Sequence, residues 1–325
     1  MSRTNALAAI LGLALLPAFA PQALAQSAWP ARTMRIVVPF APGAFTDLAA
    51  RALALELSEQ LGQQAVVENR GGAGSTLGTD VVAKAAPDGY TLLVTDNSLA
   101  ISAGLYARLP YDPLKDFNLV SVVAEAPAIM VVRVGLPAKS PKELVALARA
   151  QPGELTFGSG GQGSSAHLAT ELFLSGAGAR MQHVPFKGVA LAIAEVVAGR
   201  IDVAVSSLSA PLAYVRSGRV RALAVTGSER SPMLPEVPTF KEAGFPRFDM
   251  TYWFGLAVPA ATPPEIVARL RQEIARAVEK PKLKEVFMSQ GARALATPPG
   301  EFARRLASEI GTWKAMIARA GVKVE

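Results

Sequence analysis

Short apolar runs alternate with Ala/Leu-rich stretches of helical period along almost the whole chain, which is the pattern of successive β-α units. "MRIVVPF" precedes "TDLAARALALELSEQL", "QAVVEN" precedes "STLGTDVVAKAA", and "YTLLVTD" follows the turn "PDG". In the first helical stretch Ala49, Leu53 and Leu57, with Ala50 and Leu61, fall at i, i+4 spacing and predict one buried stripe. A second set of units starts near residue 126 with "AIMVVRV" and runs through "PKELVALARA", "LTFGS", "SSAHLATELFLS", "MQHVPF", "VALAIAEVVAG", "IDVAVSS" and "RALAVTG". A Pro-rich passage, "SPMLPEVPTFKEAGFP", then leads to a late strand, "MTYWFGLAVP", and two long helices, "PPEIVARLRQEIARAVEK" and "PGEFARRLASEIGTWKAMIARA". Helices that follow a late strand need a sheet to cover, and the first body offers one. The expectation is an α/β protein with a mostly parallel sheet in two bodies. The first is discontinuous, residues 26–125 with 251–325, and the second is 126–250.

The first 25 residues stand apart from this pattern. Arg3, the apolar run "ALAAILGLALLPAFA" and the A-x-A site in "ALAQ" read as a signal peptide cut before Gln26. That run is too short for a spanning helix, and no later stretch approaches ~20 consecutive apolar residues. The chain has no cysteine, which removes disulfides, thiol catalysis, Cys-ligated metals and a lipid-anchored residue together. The expectation is an exported, soluble protein that diffuses freely. Losing Arg3 lowers the formal net charge from +7 to +6, yet no run of five basic residues and no basic stripe interleaved with aromatics appears. Nucleic acid is therefore not an expected partner, and the sign of the charge favours anionic ligands.

Two turns carry chemistry. In "PFAPGAFTD", Gly43 can adopt φ values closed to other residues, and Thr46 can cap a helix beginning near Asp47. Backbone N–H groups from Gly43 to Phe45 would then face the positive end of a helix, a seat for a carboxylate. Asp47 partly answers that dipole already. In "LTFGSGGQGSSAHLATELF", Gly158, Gly160 and Gly163 formally match the dinucleotide fingerprint, but no ribose-binding acid stands near residues 178–185, so no nucleotide cofactor is expected. What remains is a second polar seat of free N–H groups with Ser159, Ser164 and Ser165. His167 follows those serines on the same helix, where the spacing favours a cleft or surface contact over a catalytic triad, and no nucleophile elbow frames either serine. His183 reads as a structural imidazole. Two histidines without clustered carboxylates predict no metal site and no enzyme.

Five ordered signatures, "WPARTMRIVVPFAPGAFTD", "VVENRGGAGSTLGTDVVAKAAPDGYTLLV", "HVPFKG", "RALAVTGSERSPMLPEVPTFKEAG" and "WFGLAVPAATP", resemble the Bug receptors, the TctC-type solute-binding proteins of tripartite tricarboxylate transport. The resemblance runs from Trp29 to the C-terminus. It implies a type II periplasmic-binding-protein fold, two α/β lobes joined by two crossover strands, closing by hinge motion on a small carboxylate. It also implies a periplasmic monomer that delivers its ligand to a permease; a sensor subunit docking on a signalling receptor and a periplasmic hydrolase are the rival readings. Carried over from the family, the ligand-binding residues are Gly43, Ala44, Phe45 and Thr46 on one side and Ser159, Gly160, Gly161 and Ser164 on the other. Pro42, Asp47, Asn97, His167, Lys187 and Ser206 complete the expected set, and Trp253 is expected on a crossover near the hinge. The chain departs from the family where Ala44 and Phe45 replace a glycine and a small residue, and where Ser206 replaces an aspartate. A lost charge and a gained ring point to a ligand less polar than citrate, such as an aromatic or longer-chain carboxylate, unless Phe45 packs on its own lobe.

Overall fold

The computed structural model of the protein describes residues 29–322, so the signal peptide expected over residues 1–25 lies outside the described residues. The first lobe opens with β1 (Met34–Val38), α1 (Phe45–Leu61), β2 (Ala65–Asn69), α2 (Thr76–Ala83), β3 (Thr91–Asp96) and α3 (Ser98–Leu105). A single long strand, β4 (Phe117–Arg133), then carries the chain into the second lobe. There follow α4 (Pro141–Ala150), β5 (Thr156–Ser159), α5 (Ser165–Ala177), β6 (Gln182–Pro185), α6 (Val189–Val197), β7 (Val203–Ser207), α7 (Leu212–Arg216) and β8 (Val220–Val225). The chain returns through β9 (Thr251–Pro259) to α8 (Pro264–Glu279), α9 (Pro281–Ser289), β10 (Arg293–Ala294) and α10 (Glu301–Ala320).

The sheet is mixed rather than mostly parallel. β2, β1 and β3 pair in parallel, as do β6, β5 and β7, but the crossing strands run against both sets: β9 is antiparallel to β3 and β4, and β4 is antiparallel to β7 and β8. β4 pairs with β9 as far as Pro127↔Thr251 and with β7 from Ala128↔Ser207 onward, so the change of lobe falls within one strand. Thr226 ties the junction: its Oγ1 accepts from Ala128 N at 2.7 Å and donates to Met250 O at 2.7 Å.

The first helix buries the stripe its spacing predicts. Ala49, Ala50, Leu53 and Leu57 are fully enclosed, and Leu61 packs half-buried at the end. Phe45, the first residue of that helix, packs its ring tilted against Phe254 of β9, centroids 4.5 Å apart, and meets Phe287 of α9 edge-on at 5.1 Å. Both lobes thus aim the C-terminal ends of their parallel strands, where α/β proteins seat ligands, at the space between them.

Candidate functional site

The turn after β1 differs in one detail from its sequence reading. Gly43 takes φ +100°, open to glycine and strained for other residues, and Ala44 is extended at φ −94°, ψ 171°. The helix therefore starts at Phe45 with Ala44 as its N-cap, two residues earlier than a Thr46 cap would place it, and no side chain caps it. Asp47 instead reaches back to accept from Gly43 N at 3.3 Å, while Arg51 and Asn69 donate to its carboxylate at 2.9 and 3.0 Å. Burial would raise its pKa, but these hydrogen bonds outweigh it and hold the carboxyl below the usual range. Its charge is answered by Arg51, which leaves the field of the α1 N-terminus facing the cleft.

The β5–α5 loop is framed by a pair of stacked imidazoles. His167 lies 4.0 Å from His183, which stacks at 4.8 Å on Phe157. His183 Nε2 bonds Ser159 Oγ at 2.6 Å, and Gly163 N donates to His167 Nδ1 at 3.1 Å. Burial, aided by His183, lowers His167 to about 3, and burial lowers His183 to about 4, so both rings are neutral at neutral pH. Ser164 is the N-cap of α5, its Oγ accepting from His167 N at 3.3 Å.

These loops meet at one small cavity of about 20 Å³, room for about one water. Ala44, Phe45 and Thr46 bring the α1 N-terminus to it, Ser164, Ser165 and Ala166 that of α5, and Val189 that of α6. Three helix N-termini converging on one point create a field for an anion. The remaining walls divide by chemistry: Phe40, Phe45 and Phe254 are apolar, whereas Asp96, Ser206, Ser207 and Tyr252 are polar.

The lobes touch across this cavity. Ala41 N donates to Lys187 O at 2.8 Å, Tyr106 Oη to Gln162 O at 3.0 Å, Ser165 N to Ser98 Oγ at 3.0 Å and Ser165 Oγ to Asp96 Oδ2 at 2.9 Å.

Of the sequence-predicted residues, Ala44, Phe45, Thr46, Gly160, Ser164 and Ser206 line the cavity together. Pro42, Gly43 and Asp47 shape the turn beside it. Ser159, Gly161 and His167 brace the second loop from behind. Lys187 offers its backbone carbonyl to the other lobe while the residue as a whole is exposed. Asn97 faces the hinge: it donates to Thr251 O at 3.2 Å and accepts from Trp253 N at 3.1 Å. Trp253 is fully buried on β9, its Nε1 donating to Glu309 at 2.7 Å. Phe45 does both things the sequence allowed, packing in its own lobe and walling the cavity. Asp96 and Tyr252 were not anticipated, whereas Ser165, read as part of the second polar seat, lines the cavity with them. Asp96 brings a carboxyl into the cavity that Ser206 lines, and burial raises its pKa. The one signal for it was an acid ending the strand "YTLLVTD".

Residues 49–322 match the family profile described as "Tripartite tricarboxylate transporter family receptor". The chain belongs to this receptor family. It is 37% identical to protein BugT of Bordetella pertussis (strain Tohama I) over 321 residues, covering 98% of each chain. Among solved structures, the receptor fold is shared with the periplasmic binding protein BugD at TM-score 0.88 and 31% identity, over 91% of this chain and 100% of that one. R. palustris Rpa4515 with adipate superposes at TM-score 0.87 with 34% identity, over 91% and 99%. MatC from Rhodopseudomonas palustris with bound malate does so at 0.86 with 33% identity, over 89% and 100%. The fold is that of the type II periplasmic binding proteins, α/β with two lobes and two crossover strands. Among the described residues no helix is long and apolar enough to cross a membrane, and no group of three His, Asp or Glu could hold a metal ion.

Proposed function

We propose that this receptor-family protein is a periplasmic solute-binding protein that captures a small organic carboxylate and delivers it to a membrane permease of the tripartite tricarboxylate type. The observation that carries this is the convergence of the α1, α5 and α6 N-termini on one interlobe cavity. The ligand's carboxylate sits at the uncapped first turn of α1 and the Ser164 end of α5, and its carbon skeleton lies against Phe40, Phe45 and Phe254, which admits aromatic or longer-chain acids. Adipate and malate in the similar structures support a carboxylate. A cavity of about 20 Å³ is smaller than any such ligand, so capture requires the lobes, 26–125 with 251–325 and 126–250, to part along β4 and β9. In this reading no chemistry is done on the ligand: Gly163 N occupies the Nδ1 of His167, and Ser159, whose Oγ bonds His183 Nε2 at 2.6 Å, braces the β5–α5 loop without lining the cavity.

A thermal-shift screen of adipate, malate and monocarboxylates tests the reading. A ligand at 100 times its Kd should add about 2.7 kcal/mol of stability. No shift with any carboxylate in the panel would overturn it.

A further inference from the structure

The two faces of β9 look into different spaces. Successive residues of a strand point to opposite sides. Tyr252 and Phe254 line the interlobe cavity, whereas Thr251 lines a larger groove of about 940 Å³ and the Trp253 indole bonds Glu309 on that groove's wall. The same division holds where β3 ends, with Asp96 at the cavity and Asn97 at the groove. One wall of the groove belongs to the second lobe, where Phe173 of α5 packs against Phe245 and Phe248 at 5.0 and 5.4 Å. The other is α10 of the first lobe, with Trp313 and Met316. The chain changes lobe between these walls, where Thr251 pairs with Pro127.

Charge selects the occupant of this groove. Four arginines and two acids line it. Arg305 is answered by Glu309 at 2.9 Å and by Glu125. Arg149 donates to a carbonyl, Ala177 O, at 3.1 Å, which leaves its charge uncompensated. Arg247 and Arg319 are exposed, and among the described residues neither pairs with a carboxylate; Asp249 accepts from Gly227 N at 3.1 Å. Surplus guanidinium charge beside aromatic walls, in a space of small-molecule size, fits an anion with an apolar body: the acid group pairs with the arginines and the body lies on the rings. We propose that the groove is a second binding site, for an amphipathic organic anion, and that its occupancy favours the closed lobes. Parting the lobes around the cavity turns them about β4 and β9, which narrows the groove on the reverse face. An occupant that fills the groove resists that turn, so each ligand tightens the other by the same factor. The coupling rests on the carboxylate reading of the cleft; the second site does not.

Anilinonaphthalene sulfonate, an aromatic body bearing a single sulfonate, is the probe, and its fluorescence with the whole protein reports binding. One probe should bind per chain, and saturating adipate or malate, whichever binds, should tighten it at least about fivefold. Arg247→Glu combined with Arg319→Glu, both at the surface, should weaken the probe at least about tenfold by setting like charges beside the sulfonate, and should leave carboxylate affinity without the probe within about twofold of wild type. Weaker probe binding on adding carboxylate would place the probe in the cleft, and an unchanged probe Kd with carboxylate bound would remove the coupling; either result overturns the proposal. So does a probe affinity indifferent to the two arginines. If no carboxylate binds at all, arginine-dependent binding of one probe upholds the second site while the cleft reading fails alone.

Discussion

Ser165 Oγ donates to Asp96 Oδ2 at 2.9 Å, and this bond joins the first turn of α5 in one lobe to the end of β3 in the other. The same residue's N–H donates to Ser98 Oγ, so one serine fastens the lobes twice. Such a bond exists only while the lobes are together. Ser165→Ala removes the hydroxyl and strips Asp96, whose carboxyl burial raises, of a donor from the other lobe, and such a hydrogen bond contributes about 0.5–1.5 kcal/mol. Carboxylate affinity should fall by that amount in calorimetry, with little change in the melting of the free protein if its lobes rest apart. An unchanged Kd would show that this contact is not part of the binding-competent state.

Closure also depends on close backbone approach. Gly74 has φ +61°, and a Cβ there would lie 2.0 Å from Gln162 O of the facing loop. Gly74→Ala should therefore hold the lobes apart, at a local cost of about 1 kcal/mol from the left-handed backbone. Small-angle scattering of wild type should show a smaller radius of gyration on adding saturating adipate or malate, whichever binds. The variant should show little or none, and its affinity should drop. A variant that compacts as the wild type does would remove Gly74 from the closing surface.

Phe45 belongs to the core as much as to the cavity. It is 2% exposed and packed on Phe254 and Phe287, so Phe45→Ala should cost about 3–5 kcal/mol in urea unfolding. A polar replacement would therefore confound specificity with folding. Phe45→Leu keeps most of the volume and should shift ligand ranking away from aromatic acids at a much smaller stability cost. A loss under 1 kcal/mol for the alanine variant would mean the ring is free to leave its packing.

How much of this was legible depended on how local each feature is. The stripe Ala49, Leu53, Leu57 could be read because every member lies on one short helix. The two turns could be read because glycine at a strand end and serine before a helix have local conformational reasons. The 17-residue β4 read as a strand only from residue 128, since its first half, buried by β9 from far along the chain, has no alternation to mark it. Asn97 was placed at the ligand, but the crossover strand it bonds is more than 150 residues away. Asp96 and Tyr252 escaped for the same reason: an acid ending one strand and a tyrosine inside another become a pair only when β3 and β9 lie side by side.

The histidine pair makes stability depend on pH with a definite sign. His167 is held neutral, at about 3, against 6.5 in the absence of the fold, and His183 at about 4. For such depressed bases the unfolded chain binds more protons than the folded one, so stability is fully present above pH 6.5 and falls as the pH drops toward the folded values. For His167 alone, the loss between pH 7.5 and 5.0 is about 2 kcal/mol. His167→Asn keeps an acceptor oxygen for Gly163 N but cannot titrate. It should be less stable than wild type at pH 7.5, where the stacking on His183 is lost, yet lose about 2 kcal/mol less between pH 7.5 and 5.0. Urea unfolding at the two pH values measures this directly. Parallel losses in variant and wild type would show that acid sensitivity arises elsewhere and that the β5–α5 loop is not held by a neutral imidazole.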